Sequence, residues 1–470
     1  MNNGRFSSLL GLSLTLVVGS ACCAGAADPD KSAVTRPYPA DAQGDLWFIG
    51  GQSNMCGFGT LKEPSEPDPR LLFFVAKDDR WMPAREPLNS LFFPHGDPHG
   101  MVPDYTRLPV GGAGLGMSFA QRVLKYTGRP LGIIGVATGG PAAKTWSPDF
   151  KEKPVPGDTY PRRYIYQPLV KRIIQAGGWG RLKGVVWYQG ESDAVELPSA
   201  AKVYENSLGK FIDRLRIDTG NPDLPFIIVQ IDRQVSTLAP GQPGKSKLGE
   251  EMADALATYT EAWEHVRDVQ RQMADNRKNV YVVSAIDLGD MVDPIHLEYE
   301  SFRKLGLRIA EVALSQVYKL PGHATPIKLK SVRVEPLHVW HSDKIIQGRV
   351  VIRVRFSGVN GRLRSADRPT GFQLRFEKAK TGWAPYQTEF DPQDPQAVLL
   401  RYCGPLPDQL RPVLYYGSGL NPYCNIVDEK DVALPAFGPV AIPPLAPAGS
   451  PCKEACLGNV KLIVVAEGAR

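Results

Sequence analysis

Two widely separated motifs in the sequence contain the residue types of nucleophilic catalysis. Ser53 lies in the glycine-rich stretch 50–55, directly after the apolar run 46–49, and Asp293 precedes His296 by three positions in a later loop. An imidazole can remove the proton of a serine hydroxyl, and a carboxylate can fix the tautomer of that imidazole. Each residue alone has a simpler interpretation, a helix cap for the serine and a loop or core position for the histidine. Together the three predict a nucleophile, a general base and the group that orients the base.

Two further motifs follow other apolar runs and could stabilise negative charge. Gly139 and Gly140 come after the run 131–137, and Gln189 comes directly after the run 184–188. A backbone N–H beside a glycine can approach a ligand closely, and an amide side chain can donate a hydrogen bond to an oxyanion. Turn glycines and a loop-capping glutamine are the alternatives for each motif alone. All of these motifs at successive strand ends predict the parts required for acyl transfer.

The elements that position these motifs can be read from the hydrophobic pattern. Near-continuous apolar runs are typical of strands buried on both faces of a parallel sheet, and the amphipathic stretches between them are typical of helices. The predicted strands are 46–49, 131–137, 184–188, 226–229 and 280–283, and the predicted helices are 116–127, 163–176, 200–217, 251–277 and 298–318. Their order predicts an α/β fold with a doubly wound parallel sheet, in which ligands bind beyond the carboxyl ends of the strands.

The sequence changes character after Pro321. Alternation with a period of two, typical of half-exposed strands, occurs at 328–334, 349–356 and 372–376, and long helical periodicity is absent from there on. We therefore predict one domain over residues 45–320 and a smaller, β-rich accessory domain over residues 326–470. We expect the proline-rich stretch 435–451 to be irregular.

The N-terminal residues predict export. A positively charged start, an apolar run at 9–18 and the small residues 24–26 are typical of a secretory signal peptide. The prediction is a signal peptide over residues 1–26, followed by a lead-in over residues 27–44. Lipid attachment at a cysteine before the cleavage site is the less favoured alternative. We therefore expect a secreted, periplasmic or otherwise extracytoplasmic protein.

Cysteine and histidine positions favour disulfides over a metal site. In an exported protein up to two disulfides, with their pairing left open, could form among Cys403, Cys424, Cys452 and Cys456. The remaining cysteine, Cys56, is expected to be a small buried residue. The cysteines lack the second Cys/His pair of a zinc finger, and His95 and His99 lie among glycine and prolines, which favours a surface loop. No metal is expected.

Composition narrows the classes of function. The chain has 470 residues, 43% of them hydrophobic and 22% charged, a balance that excludes a disordered or membrane-embedded protein. The formal net charge is +6, without a block of basic residues, so the sequence predicts no nucleic-acid partner. No segment after the signal peptide is apolar enough to predict a membrane span.

The combined motifs resemble those of the sialate O-acetylesterase branch of the SGNH hydrolase superfamily. The resemblance rests on the segments 51–55, 187–193 and 293–296 and on Gly139-Gly140 with Trp146, which occur in family order. It implies a flavodoxin-like sheet, an SGNH-type esterase domain over residues 45–320, and removal of O-acetyl groups from carbohydrates such as sialic acid or acetylated polysaccharides. No cofactor is implied.

The resemblance also implies roles for individual residues. Ser53 would be the nucleophile, His296 the base and Asp293 its orienter, while the backbone N–H groups of Ser53 and Gly140 and the side chain of Gln189 would form the oxyanion hole. Residues expected to bind substrate or support the site are Gln52, Asn54, Gly139, Trp146 and Glu191. Two alternatives remain open: an SGNH lipase or thioesterase with the same catalytic residues, and a catalytically silent glycan-binding protein.

Overall fold

The computed structural model describes residues 44–62, 67–75, 79–88, 112–137, 139–150, 165–177, 180–194, 198–235, 247–341, 344–376, 382–403, 406, 411–442, 453–457 and 460–464. The predicted signal peptide and nearly all of the lead-in, as well as His95 and His99, lie outside these ranges. Within them no helix is long and apolar enough to cross a membrane.

A seven-stranded sheet forms the centre of the part we call the α/β region, residues 44–316. Its strands are β1 Gly44–Gly51, β2 Leu71–Val75, β3 Arg80–Pro83, β4 Leu131–Ala137, β5 Gly180–Tyr188, β6 Phe226–Gln230 and β7 Val280–Ser284, in the order β3-β2-β4-β1-β5-β6-β7. All neighbours are parallel except the edge pair β2 and β3. All five predicted strands are present, and every residue of β1 and β4 is buried, as their unbroken apolar runs indicate.

The edge hairpin of β2 and β3 was not predicted. All residues of β3 are only partly buried, and the strand pairs with a single neighbour, so its sequence lacks the continuous apolar run of the central strands. Tertiary pairing with β2, rather than a strong local pattern, therefore sets the conformation of the edge strand β3.

The helices follow the predicted order with shifted ends. They are α1 Ser53–Cys56, α2 Gly116–Thr127, α3 Tyr166–Ala176, α4 Glu191–Ala194, α5 Pro198–Ala201, α6 Tyr204–Asp218, α7 Lys247–Asn276 and α8 Tyr299–Gln316. The helix predicted over 200–217 is divided into α5 and α6. Helix α2 packs against α8, and α6 packs against α7. This arrangement confirms the doubly wound fold, in which helices cover both faces of the sheet.

The strand order changes direction at β1, and this position determines where a ligand can bind. The chain runs from β1 to β2 and β3 on one side, returns to β4 beside β1, and then crosses to β5 on the other side, so connections on the two sides of β1 leave in opposite directions. A crevice opens at such a switch point, beyond the carboxyl ends of the strands. The predicted motifs after β1, β4 and β5 all lie at this edge.

The part we call the C-terminal β region, residues 328–464, is antiparallel. Two four-stranded sheets, in the orders β12-β11-β15-β17 and β13-β14-β9-β8, share one hydrophobic core. The strands are β8 Lys328–His341, β9 Lys344–Ser357, β10 Leu363–Arg364, β11 Phe372–Phe376, β12 Gly382–Trp383, β13 Gln387–Phe390, β14 Ala397–Tyr402, β15 Pro412–Tyr416, β16 Val427–Asp428, β17 Phe437–Ala441, β18 Lys453–Leu457 and β19 Val460–Val464. The predicted β-rich character is therefore confirmed.

Two expectations for this region are wrong. The stretch 435–451 is not irregular throughout, because Phe437–Ala441 forms strand β17, which pairs with β15. Strand β17 lies at a sheet edge, where a proline can be accommodated without removing a required hydrogen bond. The thiols of Cys403 and Cys424 are free, so neither takes part in the disulfides that were expected. Cys56 is buried with a free thiol, in agreement with its predicted packing role.

Polar contacts join the two regions close to the carboxyl end of β6. The side chain of Gln230 donates to the carbonyl of Ala436 at 2.9 Å and accepts from its N–H at 2.7 Å. The buried guanidinium of Arg267 donates to the carbonyls of Gly417 at 3.1 Å and Gly419 at 2.7 Å. Because these groups are buried, each contact satisfies polar atoms that would otherwise be costly to remove from water.

Candidate active site

The turn between β1 and α1 presents Ser53 at the carboxyl edge of the sheet. Gly51 has a φ of 153°, and a Cβ at this position would lie 1.9 Å from the carbonyl oxygen of Tyr188. Only glycine therefore allows the end of β1 to approach β5 this closely. Because Ser53 is the first residue of α1, its backbone N–H has no acceptor within the helix and remains directed away from it.

Ser53, His296 and Asp293 form a continuous hydrogen-bonded chain. The Oγ of Ser53 lies 2.9 Å from Nε2 of His296, and Nδ1 of His296 lies 2.6 Å from Oδ2 of Asp293. The other carboxylate oxygen, Oδ1 of Asp293, accepts hydrogen bonds from the backbone N–H groups of Ile295 at 2.9 Å and His296 at 2.8 Å. The structure thus brings together the three residues that the sequence selected as nucleophile, base and orienter.

The hydrogen bonds around Asp293 and the neighbouring imidazole favour the ionised form of its carboxylate. Burial raises the pKa of Asp293. The hydrogen bond and positive charge of His296, together with the two backbone N–H groups, lower this pKa by more than burial raises it, so the pKa of Asp293 lies below its ordinary value. An ionised Asp293 accepts from Nδ1–H and leaves Nε2 free to accept the proton of Ser53. The arrangement can therefore generate an alkoxide nucleophile.

The second glycine motif adopts a conformation that favours glycine. Gly140 has a φ of 71°, in the left-handed region, and Gly139 and Gly140 are both half-buried. The turn continues through Pro141 into a short 3₁₀ helix, Ala143–Trp146. Helix α1 contacts both β4 and β5, so the turn that follows β4 lies in the same part of the molecule as Ser53.

Gln189 is placed differently from the expectation. Its side chain is fully buried, and Nε2 donates to the carbonyl of Pro141 at 3.0 Å and to Oδ2 of Asp193 at 2.5 Å. A primary amide has two N–H hydrogens, and these two acceptors occupy both. Donation from Gln189 to an oxyanion would require one of these bonds to break. In this structure the side chain therefore links the Gly140 turn to α4 rather than presenting a free donor.

Gln52, Asn54 and Glu191 support the site from beneath rather than contacting a substrate, because all three are buried. Oε1 of Gln52 accepts from the backbone N–H groups of Gly190 at 3.3 Å and Ser192 at 3.2 Å. Burial raises the pKa of Glu191, an effect that its hydrogen bond from Asn54 partly offsets. Their burial favours the supporting alternative of the expectation over the substrate-binding one.

Asn54 connects the serine turn to both other parts of the site. Its Nδ2 donates to Oε1 of Glu191 at 2.8 Å and to the carbonyl of Ile295 at 3.0 Å, and its Oδ1 accepts from the N–H of Leu297 at 3.2 Å. The last two bonds flank His296 on either side in sequence. Asn54 therefore fixes the position of the histidine loop relative to the serine that precedes it in the chain.

Trp146 belongs to the hydrophobic core. Its side chain is fully buried and makes edge-to-face contacts with Trp187, at a centroid distance of 4.8 Å, and with Phe211, at 5.9 Å. A substrate cannot reach it without unpacking the core. Trp146 anchors the end of the 3₁₀ helix that follows the Gly140 turn, and its place in the core favours the supporting alternative of the expectation over the substrate-binding one.

Two residues of the site were missed by the sequence reasoning. Phe58 stacks on the imidazole of His296 with a centroid distance of 3.8 Å and an interplanar angle of 5°. Asp193 accepts hydrogen bonds from Gln189 and from the N–H of Ala143. Phe58 has no sequence signal, because one aromatic residue after a short helix has no characteristic spacing. Asp193 lies within the motif 187–193, but its residue type alone does not reveal that its side chain is buried.

Replacing Asn54 with alanine is expected to destabilise the protein by about 2–4 kcal/mol. The substitution leaves the Glu191 carboxylate, the Ile295 carbonyl and the Leu297 N–H without their partner, and each buried group left unpaired is costly. Urea unfolding would measure the free energy of unfolding. Asn206→Ala, at an exposed position on α6, is the matched control and should change it by less than about 0.5 kcal/mol. Equal stability of the two variants would show that the Asn54 bonds contribute little.

The fold and the site together define a class of protein. A serine, a histidine and an aspartate in hydrogen-bonded sequence lie at the carboxyl edge of a doubly wound sheet. No group of three His, Cys, Asp or Glu residues suited to a metal ion occurs in the described part of the chain. The class is that of the carboxylic ester hydrolases.

The chain belongs to the family described as carbohydrate esterase, sialic acid-specific acetylesterase, whose family model matches residues 43–315. The family confirms the resemblance seen in the motifs, and the protein is accordingly a carbohydrate acetylesterase. It is 28% identical over 304 residues to an Arabidopsis thaliana protein described as a probable carbohydrate esterase, a match that covers 61% of this chain and 95% of the relative.

Among solved structures, a carbohydrate acetylesterase from Xanthomonas citri has a similar fold. It is 20% identical, with a TM-score of 0.55, and the match covers 84% of this chain and 80% of that protein. The likeness therefore extends beyond the α/β region, whereas the Arabidopsis match covers a share of the chain close to that of the α/β region alone.

Proposed function

We propose that this chain is a secreted serine esterase that removes O-acetyl groups from carbohydrates through an acetyl-enzyme intermediate. The observation that carries the proposal is the hydrogen-bonded chain from the Oγ of Ser53 through His296 to Asp293. Membership of the carbohydrate esterase family supplies the substrate class, an acetylated carbohydrate. Export rests on the signal-peptide pattern at the start of the sequence.

The reaction begins with a proton transfer and a new C–O bond. Nε2 of His296 takes the hydroxyl proton of Ser53 while Oγ attacks the acetyl carbonyl carbon, giving a tetrahedral oxyanion. The bond from this carbon to the sugar oxygen then breaks, and the imidazolium returns its proton to that oxygen. Water repeats the attack on the acetyl-enzyme: His296 takes a proton from the water, acetate leaves, and the proton returns to Oγ.

The backbone N–H groups of Ser53 and Gly140 are the proposed donors to the oxyanion. The N–H of Ser53 lies at the start of α1, and the left-handed φ of Gly140 sets the direction of its peptide group. Because donors that are already oriented cost no reorganisation, such groups contribute strongly to catalysis. Gln189 would join them only if it released Pro141 or Asp193, so we place it in a supporting role.

The relatives favour a carbohydrate rather than a lipid substrate. The Arabidopsis relative is described as a carbohydrate esterase, and the protein from Xanthomonas citri is described as a carbohydrate acetylesterase. Sialic acid, which the family description names, and acetylated polysaccharides are the two candidate substrate groups. Their shared chemistry is an acetyl ester of a sugar hydroxyl.

Acetate release from a panel of acetylated glycans tests this proposal. The panel contains O-acetylated sialic acid, acetylated xylan and other acetylated polysaccharides, together with p-nitrophenyl esters of increasing acyl length. We expect release of acetate from at least one glycan and a sharp decline in kcat/KM beyond the acetyl ester. Rates that are equal or higher on long acyl chains would instead identify a lipase or thioesterase. Binding on a glycan array without turnover would identify a silent binding protein.

A further inference from the structure

The carboxylate of Asp193 is a buried group for which the proposed reaction has no direct use. Asp193 is 1% exposed and lies in α4, at the end of the motif 187–193 that also contains Gln189. Its oxygens accept the backbone N–H of Ala143, at 2.9 Å from Oδ2 and 3.3 Å from Oδ1, and Oδ2 accepts Nε2 of Gln189 at 2.5 Å. A buried carboxylate with several donors is an expensive arrangement unless those bonds fix something useful.

These bonds converge on the turn that carries Gly140. Asp193 holds Ala143, three residues after Gly140, and Gln189 holds the carbonyl of Pro141, the residue next to Gly140. Because the Asp193 and Gln189 side chains are also bonded to each other, the turn is fixed at two points by one connected unit. We call Asp193 and Gln189 the turn clamp.

We propose that Asp193 is a positioning residue, which acts through Ala143 and Gln189 to hold the backbone N–H of Gly140 where it can bind the oxyanion. This inference rests on the proposed function, because it requires a reaction with a tetrahedral intermediate. Gly140 has the left-handed φ of 71°, and because glycine adopts several backbone conformations with similar ease, contacts around the turn must select this one. A displacement of the donor by about 1 Å is enough to weaken transition-state binding strongly.

The ionised form of Asp193 is the one that suits this role. All of its partners here are N–H donors, and a carboxyl group has only acceptors when it is ionised, whereas protonation adds an O–H that would face these donors. Burial raises the pKa of Asp193 to about 6, the two N–H partners oppose this effect, and the charge of Glu191 adds to it. Tyr204 also interacts electrostatically with this carboxylate, and burial raises the pKa of Tyr204. At neutral pH the clamp is therefore ionised.

Two substitutions remove the clamp in different ways. Asp193→Asn keeps the shape but turns one acceptor into an N–H₂ that faces other donors. Ala143→Pro keeps the Asp193 side chain but replaces the N–H that it accepts with a ring carbon, so the carboxylate must move away from the turn. Ala143 is the first residue of the 3₁₀ helix, and Ala142 before it is extended, with φ −68° and ψ 155°, so the backbone conformation at this position suits proline. The second variant keeps the inference testable if Asp193→Asn does not fold.

We expect kcat for p-nitrophenyl acetate to fall about 10- to 100-fold in both variants, with KM changed less than about threefold, because the lost interaction forms only in the transition state. Inactivation by an alkyl phosphonate ester, which forms a tetrahedral adduct on the serine, should slow by a similar factor. If the role of Asp193 were purely structural, the substitutions would lower thermal stability without lowering kcat much more than they change KM.

The matched control is Asp232→Asn. Asp232 is a fully buried acid just after β6, and within the described residues its carboxylate oxygens have no hydrogen-bond partner. We expect its kcat to stay within about threefold of the parent. If the parent and Asp232→Asn are active while Asp193→Asn and Ala143→Pro both keep the parental kcat, the clamp is refuted and the proposed function stands. A parent inactive on every ester contradicts the proposed function itself.

A double-mutant cycle gives an independent check. If Gln189 acts with Asp193 as one unit, Gln189→Ala combined with Asp193→Asn should be little slower than the slower single variant. If the fold-losses in kcat of the two single variants instead multiply in the double variant, Gln189 donates to the oxyanion separately. That result would overturn the turn clamp as a single unit.

Discussion

Replacing Ser53 with alanine is expected to lower kcat on acetyl esters by a factor on the order of 10⁴ or more. The substitution removes the Oγ that forms the acetyl-enzyme in the proposed mechanism while leaving the backbone atoms of the residue in place. Ser53 is only partly buried, so the cavity left behind is small and the fold should be retained. Acetate release at substrate saturation measures the effect, and circular dichroism checks the fold.

The control for this prediction is a second partly buried serine, Ser118. Ser118 in α2 is partly buried, and its Oγ donates to the carbonyl of Leu115 at 3.1 Å. Ser118→Ala should therefore retain parental kcat. A fluorophosphonate label should add to the parent and to Ser118→Ala but not to Ser53→Ala. Retained turnover or retained labelling in Ser53→Ala would refute the assignment of the nucleophile.

Asp293→Asn should be nearly as damaging, with a loss of about 10⁴-fold in kcat. The asparagine can keep its hydrogen bonds with the backbone, but its N–H₂ group can force the proton of His296 onto Nε2. A protonated Nε2 donates to Ser53 instead of accepting its proton, so the nucleophile is no longer activated. Asp290→Asn, an exposed position in the same loop, is the control and should leave kcat unchanged. Similar rates for the two variants would exclude Asp293 as the orienting residue.

The same substitution should change the pH dependence of stability in a defined direction. The pKa of Asp293 lies below its ordinary value in the folded protein, so the unfolded chain binds this proton more readily. Ionised Asp293 therefore stabilises the fold above the unfolded pKa of about 3.9, and this contribution is lost as the pH falls through the lower folded pKa. The difference in free energy of unfolding between the parent and Asp293→Asn should shrink on acidification below about pH 4. A difference that stays constant with pH would contradict the pKa shift.

The site shows clearly which features a linear sequence can reveal. Ser53 and His296 are 243 residues apart, yet both could be selected because each follows an apolar strand and because together with Asp293 they supply the parts of one reaction. Parallel strands of a doubly wound sheet end at one edge, so motifs after successive strands converge whatever their separation along the chain. The meeting of Ser53 with the Asp293–His296 loop was therefore predictable.

Other features depended on contacts that no local pattern specifies. Trp146 and Gln189 carry the residue types of a substrate platform and an oxyanion donor, but Trp146 is enclosed by core aromatics and both amide hydrogens of Gln189 have buried acceptors. Burial and hydrogen-bond partners are set by side chains that arrive from distant parts of the chain. Residue type alone could not assign these two positions.

The sequence by itself determined the α/β fold, the family and the three residues that form the hydrogen-bonded chain, because strand periodicity and strand-end motifs are local properties. Only the tertiary structure decided that Phe58 covers the imidazole, that Asn54 joins the serine turn to the histidine loop, and that Asp193 binds the Gly140 turn. The physical reason is distance. A hydrogen bond or a ring contact exists only when two groups lie within a few ångströms, and packing of the whole chain sets that separation.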